Sequence, residues 1–181
     1  MRSVLLFVPF FALACSGDKG GDSGTPDGDT DTQDTSDTGE EDNPFPTTSC
    51  ADHADPCVEI LAGDNDGLFE ISNLLVDGQT IVLGAGEWQL DNQVTFRGAS
   101  GVSLIGQGME LTILDFAAEE VQTNGIDAIG DELLLQGMTV RDAKKDGVRV
   151  EDSDGVVMRD LKVTWSTPES PENGAYGLYP V

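Results

Sequence analysis

Basic residues are scarce in this 181-residue chain, which carries nine lysines and arginines against 34 aspartates and glutamates. The formal net charge of −25 argues against nucleic-acid binding, because proteins that bind nucleic acid neutralise phosphates with Lys and Arg. It argues equally against electrostatic docking on anionic lipid. Acidic surfaces favour solubility and attract metal cations. We therefore expect a solvated acidic surface and no nucleic-acid partner.

Long apolar runs are also absent, since the N-terminal run Val4–Leu13 has only ten residues. A transmembrane helix needs about 20 apolar residues, so this run, preceded by Arg2, is typical of a secretory signal. Ala12–Cys15 resembles the lipobox of bacterial lipoproteins, in which the cysteine is lipidated. We predict a lipoprotein-type signal peptide over residues 1–15 and a lipid on Cys15 that anchors the protein in the outer membrane or at the cell surface. The alternative is ordinary cleavage after Ala14, which would give a secreted or periplasmic protein.

Residues 16–49 contain almost no apolar side chains. They consist mainly of Gly, Ser, Thr, Asp and Pro, with ten acids against the single base Lys19. Such a segment cannot bury enough apolar surface to offset its ordering entropy. We predict a disordered, self-repelling spacer that holds the following domain away from the membrane.

Only three cysteines are present, and two of them, Cys50 and Cys57, remain after the lipid cysteine. In an exported chain they most simply form a disulfide, which would contribute about 2.5 kcal/mol by closing an eight-residue loop. The alternative is a metal site formed by these two cysteines, a nearby aspartate and His53, the only histidine. We favour the disulfide, predict no metal site, and assign residues 50–63 to a lead-in.

A short helix and a strand are predicted next. Apolar residues recur at helical spacing before Asp77-Gly78 ends the run, which predicts a helix over about 67–76; these residues are Leu68, Ile71, Leu74 and Leu75. The β-rich run Thr80–Leu83 predicts a strand.

Self-similar segments then recur in three sets. The first is Val102–Gly106, Leu133–Gly137 and Val156–Asp160; the second is Thr112–Leu114, Thr139–Arg141 and Lys162–Thr164; the third is Asn124–Ile126, Asp146–Val148 and Asn173–Ala175. The intervals are 31 and 23 residues in the first set and 22 and 27 in the third. Three short strands per repeat of this length predict a coil stacked on the next coil.

Stacking explains the apolar pattern within these segments. Alternate residues of a strand face inward, so we expect the pairs Val102/Leu104, Leu133/Leu135 and Val156/Met158 to form aligned rows. Strands of successive coils would pair in parallel. A βαβ fold would need recurring helices between the strands, and the short intervals leave little room for them.

These segments resemble a known family. The runs DGQTIVLGAGEWQL, GVSLIGQG, DGVRVEDSDGVVMRDLKV and NGAYGLYPV are similar to bacterial right-handed parallel β-helix proteins of the pectate-lyase-like superfamily. The resemblance covers residues 64–181 and implies an all-β parallel solenoid with a short N-terminal capping helix. Because Val181 falls within a coil and no capping element follows, we expect the natural stack to continue, which would make this sequence a fragment.

The resemblance also implies a polysaccharide ligand. Six of the seven bases after residue 50 lie between Arg141 and Lys162, interleaved with aspartates. A sugar lyase or epimerase needs a cation against the uronate carboxylate and a base for the C5 proton. The resemblance implies calcium held by aspartates, with an Arg or Lys base; the cofactor otherwise stays open. The candidates are Arg141, Asp142, Arg149, Arg159 and Asp160.

A structural explanation competes with the catalytic one at each of these positions. Outward residues of half-buried strands are polar in any case and form weak surface ion pairs, and we favour this interpretation. Trp165, Tyr176 and Tyr179 could stack on sugars, but we favour packing within the solenoid.

Two functions therefore remain open. The first is an envelope protein that binds or processes polysaccharide, and the second is a non-catalytic structural or adhesive solenoid. A groove lined by converging charged groups would favour the first.

Overall fold

The structure, a computed structural model, describes residues 47–181. One helix, α1, spans Asn65–Asn73, and a 3₁₀ turn spans Cys50–Asp52. The strands are β1 (Cys57–Ile60), β2 (Thr80–Leu83), β3 (Gly86–Gln89), β4 (Val94–Arg97), β5 (Ser103–Ile105), β6 (Thr112–Asp115), β7 (Ile126–Ile129), β8 (Leu134–Arg141), β9 (Val148–Val150), β10 (Val157–Thr164) and β11 (Leu178–Pro180). The predicted signal peptide, the lipidation of Cys15 and most of the predicted spacer lie outside the described residues.

The strands form three columns, which we call faces. The first face contains β1, β2, β5 and the first halves of β8 and β10, and the second contains β3, β6 and the second halves of β8 and β10. The third face contains β4, β7, β9 and β11, one strand from each turn. Strands pair in parallel in every column. The chain is a parallel β-solenoid of about four turns, as the repeats predict.

The alignment predicted for the first face is confirmed. Leu104 pairs with Leu135, and Leu135 pairs with Met158. Leu104 and Leu135 are buried, and Met158 packs on the core from the last coil. Alternation fixes this register, because a shift by one residue would turn every inward side chain outward.

On the second face, the alignment of Thr139–Arg141 with Lys162–Thr164 is confirmed, and that of Thr112–Leu114 with Thr139–Arg141 is wrong by one residue. The structure pairs Ile113 with Thr139 and Leu114 with Val140, whereas the sequence alignment places Thr112 opposite Thr139. Leu114 and Val140 are both fully buried, so the observed register keeps both inside. Pairing Thr112 with Thr139 would have placed an inward-facing residue opposite an outward-facing one.

The alignment predicted for the third face is wrong in the last coil. Leu178 pairs with Val148, so Gly177 rather than Gly174 lies over Gly147. The stacked glycines are required by close approach, since a Cβ on Gly147 would lie 2.7 Å from the carbonyl oxygen of Gly177. The loop before β11 is therefore three residues longer than the sequence alignment assumes.

A single backbone bend separates the first and second faces within β8 and β10. It lies at Gly137, with φ of +72°, and at Asp160, with φ of +52°. Both angles are in the left-handed region, which glycine and aspartate adopt more readily than most residues. The two halves of each long strand thus belong to different faces.

The helix begins and ends earlier than the predicted range of 67–76. Its N-terminus is fixed by Asp64, whose Oδ1 accepts a hydrogen bond from the Gly67 N–H at 3.0 Å. Leu68 is fully buried, and α1 packs against β4. Because β4 is the terminal strand of the third face, the helix covers that end of the column. Within residues 47–181 no helix is long and apolar enough to cross a membrane.

The solenoid begins earlier than predicted. β1 lies inside the segment assigned to the lead-in, yet it pairs with β2 along its whole length. Thr48, assigned to the end of the spacer, donates its N–H to Oε1 of Gln107 at 2.8 Å. The stack therefore starts at Cys57. The segment just before it is hydrogen-bonded to the loop between β5 and β6, through Thr48 and Gln107.

Candidate functional site

A cleft follows the corner where the second face turns into the third. Three adjoining cavities form it, with volumes of about 310, 290 and 200 Å³. The first two share Glu120 and Val121, and the last two share Lys144 and Glu172. We call the three together the corner cleft; its lining residues are Asp91, Asn92, Ala117, Ala118, Glu119, Glu120, Val121, Gln122, Asp142, Ala143, Lys144, Trp165, Ser166, Thr167, Ser170, Glu172 and Asn173.

The corner cleft is built from the same loop in four successive coils. These loops join the second-face strand to the third-face strand and span 90–93, 116–125, 142–147 and 165–177. Neighbouring coils lie about 4.8 Å apart, so three steps along the stack give about 14 Å. The cleft therefore runs parallel to the solenoid axis.

Trp165 lies at one end of the corner cleft in a fixed orientation. Its indole N–H donates to the carbonyl oxygen of Ala143 at 2.8 Å, and its side chain is half-buried. Asp142 holds the adjoining residue, accepting hydrogen bonds from the N–H and Oγ of Ser166, each at 2.6 Å. Asp142, a predicted catalytic candidate, thus lines the cleft with its carboxylate bound to the neighbouring loop.

Glu119 forms part of the wall in the middle of the corner cleft. Its carboxylate accepts hydrogen bonds from Oγ1 of Thr123 at 2.5 Å and from the N–H of Lys144 at 3.4 Å. Burial raises the pKa of the Glu119 carboxyl above its ordinary value, and these two hydrogen bonds offset the rise only in part. A buried carboxyl with a perturbed pKa in a cleft is a common mark of a functional site.

The corner cleft is acidic. Its lining residues include five carboxyl groups and one amine, that of Lys144; the carboxyl groups belong to Asp91, Glu119, Glu120, Asp142 and Glu172. The repeat alignment concentrates on the strands and does not identify this cleft. The one feature of the sequence that indicates the cleft is the polar composition of the loops that follow each second-face run.

Arg141 lies on the outer surface of the second face, where it joins three strands. Its guanidinium pairs with Glu87 of β3 and with Asp115 of β6, the latter at 2.6 Å. Burial of Asp115 raises its pKa, but hydrogen bonds from Arg141 and the Ala117 N–H, with the charge of Arg141, bring that pKa below its ordinary value. The charge of Arg141 is therefore already compensated.

Arg149 lies on the outer surface of the third face. It pairs with Glu151 and lies over the ring of Tyr179, with 5.8 Å from its Cζ to the ring centroid. Tyr179 in turn stacks on Tyr176 at 4.6 Å between centroids. Tyr179 therefore contacts Tyr176 and Arg149. Neither tyrosine lines the corner cleft, whereas Trp165 does.

Arg159 and Asp160 lie on β10, away from the other three candidates. Arg159 is on the outer surface of the first face, and its Nε–H donates to Oε1 of Gln136 at 2.8 Å. Asp160 occupies the bend between the first and second faces. The five charged candidates thus lie on different faces and corners of the coil, and only Asp142 lines the corner cleft.

Cys50 and Cys57 form a disulfide, with 5.6 Å between their Cα atoms. Nε2 of His53 lies 2.8 Å from Oγ1 of Thr48. Within residues 47–181, no three carboxylate, imidazole or thiol side chains converge closely enough to hold a metal ion.

No protein-family model matches this chain, and no curated protein or solved structure is significantly similar to it. What is established for this chain is its fold, a parallel β-solenoid.

Proposed function

We propose that this protein binds a polysaccharide strand in the corner cleft. The observation that carries the proposal is the course of the cleft across four coils. A cleft parallel to the axis suits an extended polymer, because each of the four loops along it contributes polar side chains. Trp165 supplies an aromatic surface with a fixed orientation, and the carboxylates, amides and hydroxyls around it are hydrogen-bonding partners for sugar hydroxyls.

The charge of the corner cleft favours a neutral polysaccharide. Five carboxyl groups against Lys144 repel a polyuronate, and residues 50–181 carry 24 acids against seven bases. Binding an acidic polymer would bring like charges together, which costs free energy. A neutral glycan avoids that cost and still satisfies the polar wall.

The protein is proposed to bind the polysaccharide without cleaving or epimerising it. Arg141 and Arg149 are engaged in ion pairs within the solenoid, so neither is poised to neutralise a substrate carboxylate. The same observation favours the second candidate function, a structural or adhesive solenoid. In that case the corner cleft would have no glycan ligand.

We also propose that a lipid on Cys15 anchors the protein in the bacterial envelope, with residues 16–46 as the tether. Ala12–Cys15 and the acidic composition that follows support this location. Mass spectrometry of the mature protein tests it, because a diacylglyceryl group and loss of residues 1–14 are expected. An unmodified Cys15 would indicate simple secretion.

Retention on immobilised glycans tests the proposed function. The purified protein is applied to a panel of neutral polysaccharides and to polyuronates with and without calcium. We expect retention on at least one neutral polymer and none on polyuronate alone. Trp165→Ala should weaken binding about two- to tenfold, because an aromatic contact contributes about 0.5–1.5 kcal/mol beyond the area it buries.

Two variants control for loss of structure. Trp165→Phe keeps an aromatic ring and should retain most of the affinity. Tyr176→Ala removes an exposed aromatic ring outside the corner cleft and should leave binding unchanged. Failure of the folded wild-type protein to bind any glycan would favour the structural solenoid instead.

A further inference from the structure

A second cavity lies on the outer surface of the first face and shares no lining residue with the corner cleft. It has a volume of about 290 Å³. One side is formed by Gln136 and Arg159, the opposite side by Thr48 and His53, and its floor includes Ile105 and Leu134. We call it the first-face groove. The proposed polysaccharide site does not include any of these residues.

Arg159 differs from the other three arginines of the described chain. Arg97 pairs with Asp127, Arg141 with Asp115 and Arg149 with Glu151. Within residues 47–181, Arg159 has no carboxylate partner, and its hydrogen bond is to the neutral amide of Gln136. In a domain with 24 acids against seven bases, an arginine without an acid partner at the edge of a cavity is available to an external anion.

The wall opposite Arg159 is held in place before any ligand arrives. The amide of Gln107 makes hydrogen bonds in both directions with the backbone of Thr48, at 2.8 and 3.0 Å. The hydroxyl of Thr48 contacts the ring of His53, and the Cys50–Cys57 disulfide ties the same segment to β1. A preformed wall reduces the ordering entropy that binding would otherwise cost.

The floor of the first-face groove is apolar although it faces outward. Ile105 is buried and Leu134 half-buried, at positions where alternation predicts polar side chains. Apolar residues at outward positions beside a single guanidinium match a ligand that is apolar at one end and anionic at the other. A guanidinium binds a carboxylate through two parallel hydrogen bonds.

We propose that the first-face groove is a binding site for a small amphipathic carboxylate, with its carboxylate on Arg159 and its apolar part on Ile105 and Leu134. The site is independent of polysaccharide binding in the corner cleft. Because the domain is strongly negative and repels anions, binding of the carboxylate depends on the local positive charge of Arg159.

Titration followed by NMR tests this proposal, with benzoate as the probe and benzamide and inorganic phosphate as comparisons. We expect saturable benzoate binding that shifts the side-chain resonances of Arg159 and His53. Benzamide, which lacks the charge, and phosphate, which lacks the apolar part, should each bind at least tenfold more weakly. Arg159→Gln should weaken benzoate binding at least tenfold, because hydrogen bonds to charged groups are the stronger ones.

Two further variants make the outcome decisive. Lys162→Gln removes the same charge from the same strand outside the groove and should change benzoate affinity less than twofold. Ser103→Trp leaves Arg159 in the sequence but puts a large side chain at a residue that lines the groove, and should abolish binding in a protein that still unfolds cooperatively. Equal binding of benzoate and benzamide, or unchanged binding by Arg159→Gln, would overturn the proposal.

Discussion

At the scale of single residues, the position two residues before each of the first-face strands β2, β5, β8 and β10 has a left-handed backbone. Gly78, Gly101 and Gly155 occupy this position with φ of +72°, +70° and +71°. In one coil the position is held by Glu132, with φ of +57°. A residue with a Cβ is disfavoured there by about 1–2 kcal/mol, so Glu132 is a local exception to an otherwise consistent pattern.

Glu132→Gly should therefore stabilise the protein. Glycine relieves the left-handed strain but loses about 0.5–1 kcal/mol more conformational entropy on folding, which leaves a net gain of about 0.5–1 kcal/mol. The free energy of unfolding measured in urea checks this. Glu132→Ala keeps the Cβ and should give no gain, while Gly155→Ala should destabilise. A gain of the same size from Glu132→Ala would point to charge rather than backbone strain.

At the scale of strands, the ion pairs on the outer second face differ in what they do. Arg141 joins β3, β6 and β8 through Glu87 and Asp115, and the Asp115 side chain is only 8% exposed. Lys162 of β10 pairs with Glu110, but these side chains are 48% and 73% exposed. Exposed ion pairs contribute little, whereas removing one partner of a buried pair leaves an uncompensated charge.

Arg141→Gln should destabilise the protein by about 2–3 kcal/mol, because it leaves Asp115 buried without its cation. Lys162→Gln, which removes the same charge from the same face, should change stability by less than about 0.5 kcal/mol. Chemical denaturation of the two variants beside the wild type measures both. Similar small effects for both would mean that water replaces the Arg141 contact without cost.

The sequence predicts strands better than it predicts their offsets. Thr80–Leu83 and the first-face alignment are correct, because buried apolar residues at every second position leave one acceptable register. The second-face error arises because Thr112 and Thr139 are both buried. In the register that pairs Leu114 with Val140, Thr112 points inward and Thr139 points outward. The third-face error arises from the loop 165–177, whose length no periodicity encodes.

The candidate site was less predictable for a related reason. The corner cleft is made by loops from four coils, which begin at positions 90, 116, 142 and 165 of the chain, so no local motif marks it. The first-face groove depends on a contact between Thr48 and Gln107 across 59 positions. Residue types pointed to surface ion pairs at Arg141 and Arg149, but not to the absence of a carboxylate partner for Arg159 within residues 47–181.

At the scale of the whole molecule, charge governs stability. Residues 50–181 carry 24 acids against seven bases, and self-repulsion at this imbalance destabilises the compact state. Two carboxyl groups respond to acid in opposite directions. The pKa of Asp115 is lowered by its partners despite its burial, whereas burial raises the pKa of Glu119. Stability should therefore pass through a maximum in mildly acidic solution.

The two limbs of that maximum have different origins. A carboxyl with a raised folded-state pKa stabilises the protein below its unfolded value and loses that contribution as pH rises through the folded value, so Glu119 favours the acidic side of neutrality. A carboxyl with a lowered pKa stabilises above its unfolded value and loses that contribution as pH falls, so Asp115 favours the neutral side.

We expect the thermal unfolding midpoint to rise on mild acidification from pH 7, and to fall below about pH 4, the ordinary range of Asp titration. Asp115→Asn should lower the midpoint at pH 7 and flatten the acidic limb, because its carboxylate no longer becomes protonated. Glu119→Gln should flatten the rise in the midpoint on mild acidification, because the carboxyl whose pKa is raised by burial is gone. Calorimetry of the three proteins in one buffer series provides the comparison. If the acidic limb of Asp115→Asn is as steep as that of the wild type, acid unfolding begins elsewhere in the solenoid and the contact between Arg141 and Asp115 does not limit it.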